Sequence, residues 1–226
     1  MRVFIVGNGP SLGRTDLELL KGEYSWGVNQ IHMIYPQTSW RPTHVTFAEM
    51  TAGGEYWFPK IWEAVRQNPQ AKKFARDDAW WWTDEMERHD VTRFNACTHH
   101  DILDEGPPEN RYDKVPDVWH FPQVCKFGGS VPMTIQLAVL EDIFDEIFLI
   151  GCDLGYKTGK DNHFHPDYAP GKRGIVEGKA IKRNEVTAMA HEYALRNSPI
   201  PIYNATLGGE LETYPRINYD TLFCNR

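Results

Sequence analysis

The segment Asp161-Asn162-His163-Phe164-His165-Pro166-Asp167-Tyr168 holds the side chains of this sequence best suited to proton transfer. A histidine titrates near neutral pH, so an imidazole on a long loop can approach a substrate hydroxyl and take its proton as the loop closes. His163 and His165 are spaced as His-x-His, which also suits a metal ion, but no clear third ligand accompanies them and no metal is assigned. Two solvated loop histidines are the plain alternative.

Two glycine-rich turns offer a second chemistry. Gly7-Asn8-Gly9-Pro10-Ser11-Leu12-Gly13 follows the apolar run Val3 to Val6. It supplies backbone N–H groups, the Asn8 amide and the Ser11 hydroxyl beside an expected helix start, a setting that favours an anionic phosphate. It is neither G-x-G-x-x-G nor a P-loop, whose lysine is absent, and an ordinary strand-to-helix turn explains it equally well. Gly128-Gly129-Ser130 opens a second helix in the same way, so a diphosphate or nucleotide can lie between the two turns. Asn29 can bond a base or ribose through both sides of its amide, or simply form a turn. Glu49 and Asp153 can bind ribose hydroxyls, hold Mg²⁺ through oxygen or act as a base; capping is their plain role.

These residues stand at the ends of expected strands. Short apolar runs predict strands at Val3 to Val6, Tyr24 to Val28, His44 to Ala48, Glu146 to Gly151 and Ile200 to Tyr203, with weaker ones at Lys72 to Ala75, Val91 to Phe94 and Asp117 to Phe121. Helices are expected after Thr15, over Tyr56 to Gln67, from Gly128 to Leu140 with Pro132 in the first turn, and over 179 to 197. In the last of these, Ile181, Val186, Met189 and Tyr193 are candidates to face inward. The alternation predicts an α/β, Rossmann-like, doubly wound and mainly parallel sheet with helices on both faces. We expect a single domain over 1–226, with a lid or excursion at 157–178. In such a sheet the loops after the strand C-termini share one edge, which brings Asn8, Asn29, Glu49, Asp153 and Asn204 toward one site. The Ala79-Trp80-Trp81-Trp82 stretch can pack over the domain or stack on a ligand, the former being the commoner use.

The 226 residues carry 24 Lys and Arg against 31 Asp and Glu, a net charge of −7 that argues against general nucleic-acid affinity. The four cysteines form no C-x-x-C pair and no compact metal spacing, which fits a reducing compartment. The opening MRVFIVG passes straight into a turn and reads as neither a signal peptide nor a membrane span, so a cytoplasmic protein is expected. A homo-oligomer is left open.

Gly7-Asn8-Gly9-Pro10-Ser11-Leu12, the Val28-Asn29-Gln30 strand end, Gly129-Ser130-Val131 and the Glu146 to Asp153 strand together resemble two related groups. One is the bacterial lipooligosaccharide sialyltransferase family, which uses CMP-sialic acid on a Rossmann-like domain. The other is the MptE-like 6-hydroxymethylpterin diphosphokinase superfamily, which includes motility-associated glycosyltransferases. Tyr203-Asn204-Ala205-Thr206-Leu207-Gly208-Gly209-Glu210-Leu211-Glu212 looks more like the second and implies another polar turn, with Asn204 and Thr206, beside the site.

The first resemblance implies a glycosyltransferase with a nucleotide-sugar donor, CMP-linked, and a hydroxyl acceptor. Asn8 and Asn29 would contact the CMP part, Gly129-Ser130 would form the donor-binding turn, and Tyr156 would lie at the donor phosphate. His163 or His165 would be the general base, and no metal cofactor is required. The second resemblance implies an ATP-dependent diphosphokinase in which the glycine turns cradle phosphates and Glu49 or Asp153 helps bind Mg²⁺. A noncatalytic nucleotide- or sugar-binding protein is a third reading.

Overall fold

In the computed structural model the described residues are 1–48, 54–76, 84–98, 123–126, 129–168 and 177–224. The strands are β1 (Arg2–Val6), β2 (Tyr24–Val28), β3 (His44–Phe47), β4 (Lys72–Arg76), β5 (Val91–Thr98), β6 (Gln123–Lys126), β7 (Glu146–Ile150) and β8 (Ile202–Asn204). They form one sheet in the order β6-β5-β4-β3-β2-β1-β7-β8, and every neighbouring pair is parallel. The α-helices are α1 (Gly54–Gln67), α2 (Asp84–Arg88), α3 (Ser130–Leu140) and α4 (Glu177–Asn197).

The central strands are apolar on both faces because both faces are covered. In β1, Phe4 and Val6 enter one core while Val3 and Ile5 enter the other; in β7, Phe148 and Ile150 separate from Ile147 and Leu149 in the same way. This is the period of two expected of a doubly covered parallel strand. Ile61, Ala64 and Val65 of α1 close the first core, and Met133, Ile135, Leu137 and Ala138 of α3 close the second. Each fully buried side chain of this kind contributes about 1.5–3 kcal/mol. On the first face, register pairs Phe4 with Phe148 and Phe148 with Tyr203, and the rings stack at 5.3 Å centroid separations.

The α/β doubly wound prediction therefore holds; strand β6 and the short helix α2 were not expected, and three further local differences stand out. The chain after β1 forms two short 3₁₀ helices, Pro10–Arg14 and Leu17–Leu20, rather than an α-helix. The Asp16 carboxylate accepts from the Glu18 N–H, and Gly22 at φ +83° turns the chain toward β2. These devices at either end leave room for a single turn. On α4, Val186, Met189 and Tyr193 are buried as expected, but Ile181 is 51% exposed and faces away from the core. The last strand begins at Ile202, after Pro201, rather than at Ile200. Trp80 to Trp82 and the strand expected at Asp117 to Phe121 lie outside the described residues. Among the described residues, no helix is long and apolar enough to cross a membrane.

Candidate functional site

Strands β2 to β6 run outward from one side of β1, whereas β7 and β8 lie on its other side. The strand order thus reverses between β1 and β7, and in open α/β sheets that reversal opens a crevice beyond the strand C-termini. The residues that leave β1 and β7 cross there at very close range. Gly7 N–H donates to Ile150 O and Gly9 N–H to Gly151 O, each at 2.8 Å. A Cβ on Gly7 would fall 2.5 Å from Gly151 O, and Gly151 itself sits at φ +63°. Gly7 and Gly9 of the first turn let two backbones touch.

That crossing changes the expected role of the turn. The Asp153 Oδ2 atom accepts from the Ser11 hydroxyl at 2.8 Å and from the Ser11 N–H at 3.2 Å. A protein carboxylate therefore engages the donors expected to cradle a phosphate, at the start of a five-residue 3₁₀ helix. Burial raises the Asp153 pKa above its ordinary value, and the two Ser11 bonds partly oppose that shift.

Asn8, buried at the end of β1, donates from Nδ2 to Val28 O at 2.9 Å and to the Tyr168 hydroxyl at 3.0 Å. Among the described residues its buried Oδ1 has no hydrogen-bond partner, nor has Oε1 of the fully buried Gln30. Asn29 adopts φ +48°, a left-handed conformation that asparagine tolerates better than most residues. Its Oδ1 accepts from Ala48 N–H at 2.8 Å, and its Nδ2 donates to Ser130 Oγ at 2.9 Å. Asn29 is thus both the turn-former and the tie between β2, β3 and the start of α3. Gly129, at φ +121°, precedes α3 without any side-chain cap, leaving the first-turn N–H groups to an incoming acceptor.

The histidine loop lies on these strand ends. Phe164 N–H donates to Asn8 O at 3.0 Å, Gln30 Nε2 to Tyr168 O at 3.3 Å, and Lys60 Nζ of α1 to Asp167 O. His163 stacks on Tyr168 with centroids 4.2 Å apart and planes 14° apart, and meets the Tyr156 ring edge-on at 6.1 Å. Tyr156 is held by α4, where Asn184 bonds its backbone N–H and carbonyl and Arg183 lies over its ring at 5.0 Å. His165 differs in kind: its Nδ1 accepts the Asp167 N–H at 3.1 Å, so its neutral form carries the proton on Nε2.

Asn204 and Thr206 lie beneath the site. Asn204 donates to Leu211 O and accepts from Thr206 N–H, while the Thr206 hydroxyl accepts from Cys152 N–H at 3.1 Å. Thr206 thus holds the loop after β7, while Asn204 holds the segment after β8. Glu49 and Gly128 lie outside the described residues. Among the described residues, no three His, Cys, Asp or Glu side chains gather as a metal site. Gln30 and Tyr168 were missed in the sequence, although each stands beside a residue singled out there.

The sheet order and the crossing at its reversal point define a Rossmann-like α/β fold. Solved structures of glycosyltransferases share it. The MAf glycosyltransferase from Magnetospirillum magneticum AMB-1 superposes with a TM-score of 0.57 at 14% identity, covering 97% of this chain and 34% of that one. The sialyltransferase CstII from Campylobacter jejuni, solved in complex with a substrate analogue, cytidine-5'-monophosphate, gives 0.51 at 17% identity, covering 96% of this chain and 84% of that one. The chain thus spans about a third of the length of the first. At these identities the likeness establishes the fold. No protein-family model and no curated protein matches the chain.

Proposed function

We propose that the protein is a glycosyltransferase that takes a nucleotide-activated, CMP-linked sugar and transfers it to a hydroxyl acceptor. The observation that carries this reading is the gathering of Asn8, the Asn29–Ser130 pair and the histidine loop at the C-terminal ends of β1 and β2, beside the reversal of strand order. Asn8 and the Asn29–Ser130 tie hold the nucleotide. His163 takes the acceptor proton as the acceptor oxygen bonds to the anomeric carbon and the bond from that carbon to the phosphate oxygen breaks. The N–H groups at the start of α3, the Ser130 hydroxyl and the Tyr156 hydroxyl meet the charge of the departing CMP, and no metal is required. The structure of CstII with cytidine-5'-monophosphate supports a cytidine nucleotide as the first to try.

Calorimetric titration with CMP, CDP, UDP, GDP and ATP, each with and without Mg²⁺, tests the reading on the wild type and Asn29→Gly. Glycine keeps the left-handed backbone and removes the amide, whereas alanine would add strain of about 1–2 kcal/mol to the comparison. Metal-independent CMP binding that weakens in the variant supports the proposal. ATP binding that needs Mg²⁺ would turn the assignment to a diphosphokinase, and CMP binding without turnover of any CMP-linked sugar would make it a binding protein. No nucleotide binding at all would overturn it.

A further inference from the structure

Tyr168 is almost completely buried, yet it touches each part of the crevice through a different atom. Its ring lies flat on His163, its hydroxyl accepts from Asn8 Nδ2, and its carbonyl accepts from Gln30 Nε2. Asn8 and Gln30 are 160 and 138 residues away in sequence, at the ends of β1 and β2. Next to Tyr168, the Asp167 carbonyl is held by Lys60 from α1. The loop is thus fastened at its last described turn, and the imidazole is held by the same side chain that makes the fastening.

We propose that Tyr168 is the positioning residue of the histidine loop, a latch that sets the plane of the His163 ring and ties it to Asn8. Closing the loop and orienting the imidazole are then one event. Asn8 serves both sides of it, since Nδ2 holds the latch while Oδ1, buried and without a partner among the described residues, keeps its acceptor capacity for a ligand N–H or O–H. Loop closure and ligand occupancy consequently meet on one amide. The choice of His163 as the base rests on the transferase reading, whereas the latch stands on geometry alone.

The test uses the full chain as wild type, Tyr168→Phe, which keeps the ring and removes the hydroxyl, and Tyr168→Leu, which fills the buried space without a ring. Side-chain NMR of ¹³C-labelled histidine, with His163 assigned by His163→Gln, reads the stack; hydrogen exchange of the Phe164 amide reads loop opening. The His163 ring protons should be shifted upfield in the wild type and in Tyr168→Phe. Loss of one hydrogen bond should speed Phe164 exchange about five- to tenfold in Tyr168→Phe, and Tyr168→Leu should open the loop further.

A wild-type His163 resonance at its random-coil position would overturn the stack. Phe164 exchange in Tyr168→Phe as slow as in the wild type would overturn the Asn8 tie, whether or not Tyr168→Leu folds. With a CMP-linked sugar as probe, kcat should fall in Tyr168→Leu by a larger factor than KM rises; an unchanged kcat would overturn the positioning role. Absence of turnover in the wild type counts against the transferase reading, and the NMR and exchange results then decide the latch.

Discussion

Asp153 Oδ2 and Ser11 Oγ, 142 residues apart in sequence, lie 2.8 Å apart and join the loop after β7 to the turn after β1. The relationship places a carboxylate at the helix start expected to bind phosphate, and burial raises its pKa above the ordinary 3.8. A carboxyl whose pKa is raised by folding supports the folded state while protonated, and that support is lost as pH rises through the folded value. Asp153→Asn keeps an acceptor for Ser11 but cannot ionise. Its stability relative to the wild type should therefore increase as pH rises above the ordinary 3.8, and level off once the folded value is passed. Urea midpoints across that range check the sign; a difference that shrinks with pH would contradict it.

The crossing of the two turns predicts opposite outcomes for two neighbouring glycines. Gly7→Ala would bring a Cβ within 2.5 Å of Gly151 O and 2.9 Å of Cys152 Sγ, while a Cβ on Gly13 meets nothing within 4 Å. Gly7→Ala should cost about 1–3 kcal/mol through overpacking. Gly13→Ala should stay within about 0.5 kcal/mol of wild type, as surface changes usually do. Denaturant unfolding separates the two, and equal midpoints would mean the crossing is looser than described.

The two loop histidines should also differ. His165 gives its Nδ1 lone pair to the Asp167 N–H, whereas His163 lies between Tyr168 and Tyr156 beside the crevice. Replacing His163 with Gln should lower turnover of a CMP-linked sugar about 10²- to 10⁴-fold, the usual contribution of a general base, while CMP affinity is retained. His165→Gln should stay near wild-type turnover. A reversed ranking in steady-state kinetics would move the base to His165.

Away from the site, three buried histidines should make the fold sensitive to acid. Burial holds His32 and His44 at about 4 and His191 at about 3, below the ordinary 6.5. Their neutral forms support the fold above pH 6.5, and this support is lost as pH falls from 6.5 through the folded values. Each contributes a slope of up to about 1.4 kcal/mol per pH unit in that window. Urea unfolding as a function of pH should show the decline, and His191→Gln should flatten it by about one proton.

Strands β1 and β7 were legible in the sequence because they are continuous apolar runs, and only burial on both faces asks for that pattern; β6, Gln-Val-Cys-Lys, has no such run and was not expected. The 3₁₀ connection after β1 was not legible, since Leu17 and Leu20 have a spacing that serves either kind of helix. Asn8, Asn29 and Ser130 could be placed at the crevice from strand ends and glycine turns alone. What each amide does there could not be read, because its partners are set by tertiary packing: Asn29 meets Ser130 across 101 residues. Gln30 and Tyr168 were passed over for the same reason. Asn204 and Thr206 show the converse, polar residues at the end of β8 whose hydrogen bonds shape the loops after β8 and β7.

The reversal of strand order beside β1 also bears on how the chain assembles during synthesis. Strands β2 to β6 each pair with the strand before them, so that part of the sheet can form in the order in which it leaves the ribosome. The other edge of β1 must wait for β7: Phe4 pairs with Ser25 on the first edge and with Phe148 on the second. Until then an apolar strand edge stays open to wrong partners. The crevice, bounded by the turns after β1 and β7, comes into being only with that late pairing.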